Sequence, residues 1–288
     1  PKLMGLARPL QGGPKMSQTN DLSQDKLVLR YWNCAGRGML MRYMAYDAGL
    51  DFIDDIVDIE EDFLSGTWES KKKFIPELAG PFKALPVVQH HGATINETGA
   101  CAQYVAEIAG YMPTHPLDRA KVVMICDHIY EDILINVAYA IWGFRDWERD
   151  VVGGFAGPIS GFPLKFANLE DILVGSASGF AVGSEVSMAD FAIFYIVDIL
   201  TQRMLKVESG PAAVKLLFGD KPAIAKHQEM MAARPNTSKY KKSAQWDLYG
   251  HYLSGKGVMG ARTHELGHGE TELEGFEILA STLVTCLS

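Results

Sequence analysis

The sequence changes its periodicity at the segment from Pro113 to Pro116, and this change constrains the fold more than any other feature. Before it, short apolar runs alternate with helical periods in the order β-α-β, loop, β-β-α. After it, the apolar residues recur at helical spacing, and no convincing strand is found. The sequence therefore predicts an α/β half followed by an all-helical half.

Turn residues and apolar periodicity give the individual elements. In the first half we predict strands over residues 26–32, 52–59, 84–89 and 93–95, helices over 39–48 and 97–108, and a loop over 60–83. In the second half we predict helices over residues 117–142, 187–205, 211–217 and 222–233. Ser187 and Asp190 have the spacing of a capping box, with Asp in the place usually taken by Glu.

Composition excludes several classes of function. The chain has 288 residues, of which 48% are hydrophobic, so it can fill one large core or two modest ones. Its formal net charge of -8 offers no general basic surface, so neither nucleic acid nor an anionic membrane is expected as a main partner. No apolar stretch approaches the roughly 18 residues that a membrane-spanning helix needs.

The cysteines indicate the compartment. They are widely spaced and follow no paired-ligand pattern, as is typical of reduced thiols in a reducing environment: Cys34, Cys101, Cys126 and Cys286. We therefore expect a cytoplasmic protein. The first residues carry Lys2, Arg8 and Lys15 with no acid until Asp21, a bias also found in organelle transit peptides, so organellar import stays open as an alternative.

Four groups of residues resemble, in their order, the cytosolic glutathione transferase family over roughly Leu27 to Ser243. The first group is Leu29-Arg30-Tyr31-Trp32 with Gly36-Arg37, and the second is Ala84-Leu85-Pro86-Val87-Val88 with Gly92 and Ile95-Asn96-Glu97-Thr98. The third is Phe180-Ala181-Val182-Gly183 with Ser187-Met188-Ala189-Asp190-Phe191, and the fourth is Ala232-Ala233-Arg234-Pro235. Each group alone is weak, whereas the ordered series is specific.

The resemblance implies a fold and an organisation. The fold is an α/β thioredoxin-like N-terminal domain followed by an all-α C-terminal domain, which is the glutathione transferase fold, in a chain that forms a homodimer. We expect an N-terminal extension over residues 1–25, a glutathione-binding domain over 26–112, a helical domain over 117–243 and a C-terminal extension over 244–288.

The resemblance also implies that Tyr31 is catalytic, as in the tyrosine-type classes. Glutathione's thiol has an ordinary pKa near 8.5, and its thiolate is the nucleophile, so something must stabilise the anion. A tyrosine hydroxyl that donates a hydrogen bond to the sulfur does this. Cys34 is the competing candidate, because cysteine-type relatives carry a nucleophile nearby. Tyr31 lies eleven residues before Arg42, as in the tyrosine classes, and Cys34 is offset by one from the cysteine pattern.

The glutathione-binding residues implied by the resemblance are spread along the chain: Tyr31, Arg37, Trp68, Lys72, Leu85, Pro86, Glu97, Thr98 and, from the neighbouring subunit, Asp127. Pro86 resembles the family's cis-proline, which exposes the backbone of the preceding Leu85. Glu97 and Thr98 would hold the γ-glutamyl group at a helix N-terminus. Trp68 and Lys72 would meet the glycyl carboxylate, with Lys71 and Lys73 as alternatives to Lys72.

The chain after Ser243 contains the literal H-E-x-x-H match His264-Glu265-Leu266-Gly267-His268. That pattern places two histidines on one helical face for zinc. Glycines at 260, 267 and 269 weaken a helix here, and only 20 residues follow the motif. We therefore expect no metal in this protein.

The expected function is that of a glutathione transferase whose second substrate is a hydrophobic electrophile. A glutathione-dependent isomerisation, like that of prostaglandin D synthase, is chemically close. The alternative is a transferase-derived structural protein, either crystallin-like or a subunit of a larger assembly. The glycine-rich segment 150–161 and the C-terminal extension favour this alternative, because either could dock onto a partner.

Overall fold

The computed structural model of the chain describes residues 26–135, 162–204, 214–215 and 217–246. Several predicted features lie outside these residues. They are the N-terminal extension, the segment 150–161, most of the helix predicted over 211–217, nearly all of the C-terminal extension, and the H-E-x-x-H match.

A mixed four-stranded sheet in the order β2-β1-β3-β4 forms the centre of the first half. Its strands are β1 (Leu27–Trp32), β2 (Phe52–Val57), β3 (Val87–His90) and β4 (Ala93–Asn96). Strand β1 runs parallel to β2 and antiparallel to β3, and β3 pairs with β4 as a hairpin. All four predicted strands are present, with ends that differ by a few residues.

Two helices accompany the sheet, and they pack against each other: α1 (Met39–Asp47) and α4 (Thr98–Ala109). The loop predicted over residues 60–83 is wrong. This stretch forms a π-helical segment (Ile59–Leu64), α2 (Thr67–Ser70), a 3-10 turn (Lys72–Phe74) and α3 (Pro76–Ala79). Helical pieces of this length are too short to show an apolar period in a sequence.

The second half is helical, as predicted. Helix α5 (Pro116–Asp127) continues into a π-helical segment (His128–Leu134) and is followed by α6 (Phe162–Val174), α7 (Met188–Met204), α8 (Pro222–Ala232) and α9 (Pro235–Lys241). Every residue from Met188 to Val197 is buried, so α7 is the central helix of this half. No helix in the described ranges is long and apolar enough to cross a bilayer.

The start of α7 is fixed by Asp190, which makes one of the two bonds of the predicted capping box, the bond from its carboxylate back to the Ser187 N–H. The Asp190 carboxylate accepts hydrogen bonds from the Ser187 N–H at 2.8 Å and from the Ser187 hydroxyl at 2.9 Å. It also accepts one from the Ala181 N–H at 2.7 Å and lies 3.1 Å from Nε2 of His227 on α8. One buried carboxylate therefore joins the α6–α7 connection, α7 and α8.

A second buried carboxylate, Asp47 at the end of α1, joins the two halves. It accepts hydrogen bonds from the Tyr111 hydroxyl at 2.6 Å, the Thr237 hydroxyl at 2.7 Å and Nε of Arg234 at 2.9 Å. Burial disfavours the charged form, but the hydrogen bonds from Arg234, Tyr111 and Thr237 hold the pKa of Asp47 below its usual value. The carboxylate is therefore a charged junction between α1 and α9.

The turn between β1 and α1, residues 33–38, is held by Arg42. This guanidinium is fully buried and lies 3.0 Å from Oδ1 of Asp54 through Nε. Its Nη1 donates to the Cys34 carbonyl at 3.0 Å, and its Nη2 donates to the Trp32 carbonyl at 3.1 Å. A planar group with several N–H donors can satisfy all three partners at once.

The same turn packs against the side chain of Tyr31. A Cβ atom at Gly36 would lie 2.5 Å from the Tyr31 hydroxyl oxygen, and one at Gly38 would lie 2.6 Å from Cγ of the ring. Any side chain at either position would have to displace the tyrosine or the turn. Glycine is therefore required at both positions, because the backbone of the turn lies too close to the Tyr31 side chain for a Cβ atom.

We expect Asp47→Asn to lower the free energy of unfolding at pH 7 by about 2–4 kcal/mol, because it leaves the Arg234 guanidinium without its counter-charge. The folded-state pKa of Asp47 is lowered, so its contribution is full above the unfolded-state pKa of about 3.9 and is lost as pH falls through the folded-state value. Urea unfolding at pH 7 and at pH 3 measures both effects.

The matched control is Asp51→Asn, because the Asp51 side chain is 84% exposed and pairs with Lys26 at the surface. We expect this variant to stay within about 0.5 kcal/mol of the parent. If Asp47→Asn also does so, the junction contributes little to the fold.

We expect Gly38→Ala to lower the free energy of unfolding by about 1–3 kcal/mol, because the new methyl group meets the Tyr31 ring. The control is Gly99→Ala in α4, where a Cβ atom would meet nothing within 4 Å. That change should raise stability by about 0.5–1 kcal/mol, since alanine is the better helix former. The melting temperatures of the two variants are compared by thermal unfolding. Equal melting temperatures would contradict a close contact between residue 38 and the Tyr31 ring.

Candidate functional site

The candidate site lies where β1 ends beside the start of β3. Tyr31 pairs with Ile56 in the parallel register, and Arg30 pairs with Val87 in the antiparallel register, so Pro86 comes next in register to Tyr31. Tyr31, Trp68 and Leu85 belong to one contiguous cluster of buried side chains. The fold therefore brings together residues that are up to 54 positions apart (85 − 31 = 54).

The Tyr31 hydroxyl is held as a hydrogen-bond donor. Its oxygen accepts the Arg37 backbone N–H at 2.9 Å, and its own proton has no acceptor among the residues that the structure describes. Burial raises the pKa of Tyr31 and Cys34 adds to the shift, while the Arg37 amide and the charges of Arg37 and Arg42 oppose it. The phenol therefore stays protonated at neutral pH and can donate to an anionic ligand atom.

Cys34 is buried in the same turn. Burial raises the pKa of its thiol to about 11, although the Gly36 amide and Arg42 act in the opposite direction. A thiol with this pKa is almost entirely protonated at pH 7, and the protonated thiol is a poor nucleophile. Cys34, Cys101 and Cys126 are all free and buried.

The peptide bond between Leu85 and Pro86 is cis, as the resemblance implies. Strand β3 begins only at Val87, so Leu85 lies just outside the sheet ladder. Within the described residues, the backbone N–H and C=O of Leu85 make no hydrogen bond. These two groups are therefore available to pair with a ligand's backbone.

The N-terminus of α4 lies on another side of the site. Glu97 precedes the helix with φ +68°, a conformation that costs a non-glycine residue about 1–3 kcal/mol, and its side chain is exposed. The buried Thr98 hydroxyl accepts a hydrogen bond from Nη1 of Arg37 at 3.4 Å. Arg37 thus contacts Tyr31 through its backbone and Thr98 through its side chain.

Trp68 is buried, and two of the three neighbouring lysines form ion pairs within the chain. Trp68 is 1% exposed and packs edge-on against Trp32, with ring centroids 5.2 Å apart. Lys72 pairs with Asp62, and Lys73 pairs with Glu69. Lys71 is exposed and makes no ion pair with any described residue. The roles of Trp68 and Lys72 stay predictions.

Asp127 is exposed on α5, and its predicted contact with a neighbouring subunit stays a prediction. A different acid approaches Arg37 within the chain, since Glu131, one turn later, lies 3.8 Å from Nη1 of Arg37. Beside it, the Tyr130 hydroxyl is buried and has no hydrogen-bond partner among the described residues. The helical period indicates the face that these residues share, but not which of them meets Arg37.

Sequence reasoning also missed Tyr195 on α7. Its hydroxyl donates to the Ala35 carbonyl at 2.6 Å and lies 3.0 Å from the Gly36 carbonyl. The pairing spans about 160 positions of sequence, and no local pattern indicates it.

Two further features bear on ligands. A cavity of about 640 Å³ lies at the other end of β1 and β3, lined by Lys26, Gln89 and Thr94 among others, and includes none of the predicted site residues. Within the described ranges, no group of three or more His, Cys, Asp and Glu side chains is placed to hold a metal ion.

The comparisons with known proteins agree with the fold. The family model for the glutathione S-transferase C-terminal domain matches residues 161–244. The probable glutathione S-transferase 6 of Caenorhabditis elegans is 26% identical over 187 residues, which are 64% of this chain and 84% of that protein. An S-crystallin, SL18 of Nototodarus sloanii, is 30% identical over 107 residues, which are 37% of this chain and 31% of the crystallin.

Among solved structures, the pi-class glutathione S-transferase of Onchocerca volvulus superposes with a TM-score of 0.59 at 20% identity, covering 75% of this chain and 91% of its own. At that identity the superposition supports the fold alone. The family-model match and the sequence relatives support a cytosolic glutathione transferase family for this chain, and the superposition supports the corresponding fold.

Proposed function

We propose that this chain is a glutathione transferase of the tyrosine type, in which the Tyr31 hydroxyl stabilises the glutathione thiolate. One observation carries the proposal: the Tyr31 oxygen accepts the Arg37 N–H at 2.9 Å, while its own proton has no acceptor among the described residues. A donor fixed in this way favours the anionic sulfur over the thiol. Each unit by which the thiol pKa falls corresponds to about 1.4 kcal/mol.

In the proposed reaction the thiol proton leaves to solvent and Tyr31 keeps its own. The thiolate sulfur attacks an electrophilic carbon of a hydrophobic substrate, an S–C bond forms, and the leaving group departs with its electron pair. A glutathione-dependent isomerisation would use the same thiolate and release glutathione again.

Binding of glutathione is distributed over several elements in this proposal. The Leu85 backbone pairs with the cysteinyl unit, and Glu97 and Thr98 hold the γ-glutamyl group at the N-terminus of α4, where free N–H groups favour a carboxylate. Trp68 and Lys72 remain the candidates for the glycyl carboxylate. Arg37 links Tyr31 to Thr98, because its backbone N–H contacts Tyr31 and its side chain contacts Thr98.

The assembly follows from the same proposal. We place Asp127 against the glutathione amine of a second copy, which makes a homodimer the functional unit in the cytoplasm. We keep the domain boundaries at 26–112 and 117–243, with extensions on either side.

We expect Tyr31→Phe to lower kcat/KM for conjugation of a chlorinated aromatic by about 10- to 100-fold, since a hydrogen bond to a charged atom contributes about 1.5–3 kcal/mol. Binding to immobilised glutathione should persist, because the other contacts remain. Cys34→Ala is the matched control in the same turn and should stay within about threefold of the parent, because a protonated thiol contributes no nucleophile.

Three results would contradict this expectation. An active Tyr31→Phe with an inactive Cys34→Ala would make this a cysteine-type enzyme. If the parent binds glutathione without turning over any electrophile, the structural alternative is correct, in line with the S-crystallin match. If the parent does not bind glutathione at all, both the ligand and the reaction are wrong.

We expect Thr98→Val to raise the KM for glutathione by about five- to tenfold with little change in kcat, because the γ-glutamyl contact is made equally in the ground state and the transition state. The control is Thr94→Val on β4, where a half-buried threonine lies away from the candidate site and accepts a hydrogen bond from Gln89. Steady-state kinetics with varied glutathione separates the two. Equal KM values for both variants would remove Thr98 from the binding site.

A further inference from the structure

Tyr195 reaches from the central helix of the helical half to the turn that carries Arg37. Its side chain is buried, and its hydroxyl lies 2.6 Å from the Ala35 carbonyl oxygen and 3.0 Å from the Gly36 carbonyl oxygen. A phenol has one proton, so it is shared between these two carbonyls. Tyr195 is thus a hydrogen-bond donor to two consecutive peptide groups.

Those peptide groups present their N–H atoms to the site. The Gly36 carbonyl and the Arg37 N–H belong to one peptide group, and that N–H donates to the Tyr31 oxygen at 2.9 Å. The Ala35 carbonyl and the Gly36 N–H belong to the preceding peptide group, and the Gly36 amide acts to lower the pKa of the Cys34 thiol. A continuous hydrogen-bonded path therefore runs from the Tyr195 hydroxyl through the Gly36–Arg37 peptide to the Tyr31 hydroxyl.

Hydrogen bonds in such a chain reinforce one another, because a donor at the carbonyl polarises the peptide and strengthens its N–H as a donor. The Gly36 carbonyl also accepts the Met39 N–H at 3.1 Å, so Tyr195 is its second donor. Burial keeps the pKa of Tyr195 well above its usual value, and its proton therefore stays in place.

We propose that Tyr195 is a positioning residue for the reaction, acting through the Gly36–Arg37 peptide to orient and strengthen the N–H that holds the Tyr31 hydroxyl. The inference rests on the proposed role of Tyr31 and extends it to the helical half of the chain. Tyr195 itself contacts neither glutathione nor the electrophile in this proposal.

Other titratable groups face this path. They are Cys34 and Arg37 on the turn, Arg42 on α1, and Tyr130 on the π-helical segment, with Glu131 beside Arg37. All of them are retained in Tyr195→Phe, which removes one hydroxyl group and keeps the ring. Because these groups are unchanged in the variant, a change in the ionisation of the bound glutathione thiol is assigned to loss of the hydrogen bond from Tyr195 to the Gly36–Arg37 peptide.

If Tyr195 only stabilised the fold, removal of another buried hydroxyl between α1 and α7 would change the Arg37 amide and the thiol titration in the same way. Tyr43→Phe is the matched control, because Tyr43 is buried on α1 and its hydroxyl lies 3.1 Å from Oδ2 of Asp198 on α7. The Tyr43 hydroxyl also accepts a hydrogen bond from the Trp246 indole N–H at 3.0 Å. Both variants lose one buried hydroxyl at the interface of the two halves.

The experiment uses the full chain and two readouts. In ligand-free protein, the Arg37 amide proton is followed by nitrogen–proton correlation NMR, and we expect it to move upfield in Tyr195→Phe and to stay in place in Tyr43→Phe. With glutathione bound, the thiolate absorbance is titrated against pH. We expect the thiolate fraction below the midpoint to fall by about two- to tenfold in Tyr195→Phe, which is the range of one neutral hydrogen bond.

The outcomes separate this inference from the proposed function. If Tyr195→Phe and Tyr43→Phe leave the Arg37 amide equally unchanged, the path does not exist. If the amide moves and the thiol titration does not, Tyr195 has no part in the reaction, which also overturns the inference. If the parent shows no bound thiolate, the proposed function of Tyr31 fails, and Tyr195 then cannot be a positioning residue for it.

Discussion

The buried guanidinium of Arg42 is the interaction on which the end of β1 depends. Its charge is balanced by Asp54 on β2, and its remaining N–H groups hold the carbonyls of Trp32 and Cys34. A buried charge is tolerated only when it is paired and fully hydrogen-bonded, so β1, β2, α1 and the turn are fixed relative to one another. The guanidinium carbon also lies 5.8 Å from the centroid of the Tyr31 ring, which places the tyrosine within this arrangement.

Two contacts carry this arrangement into the helical half. Asp47 at the end of α1 binds Arg234 and Thr237, and Tyr195 on α7 binds the carbonyls of the turn. Arg42 holds the turn from the α/β half and Tyr195 holds it from the helical half. The geometry around Tyr31 therefore depends on contacts from both halves of the chain.

Local signals in the sequence predicted the strands, the long helices and the Asp190 cap, because periodicity and capping act within a few residues. They failed for the short helical segments between β2 and β3, because segments of 3 to 6 residues are too short to show a helical repeat of apolar residues. They also failed for contacts between distant residues. The sequence predicted a role for Asp127 and gave no sign that Glu131, four residues later, lies 3.8 Å from Nη1 of Arg37. Nothing local pointed to Tyr195.

Burial in the turn acts on both candidate catalytic residues and separates them. It raises the pKa of the Tyr31 phenol and of the Cys34 thiol, so both groups are neutral at pH 7. A neutral phenol is still a hydrogen-bond donor, which is what an anionic sulfur requires, whereas a neutral thiol has lost the form that attacks. In the proposed reaction the same desolvated environment thus keeps Tyr31 functional and leaves Cys34 inert. The nucleophile must then arrive with the ligand.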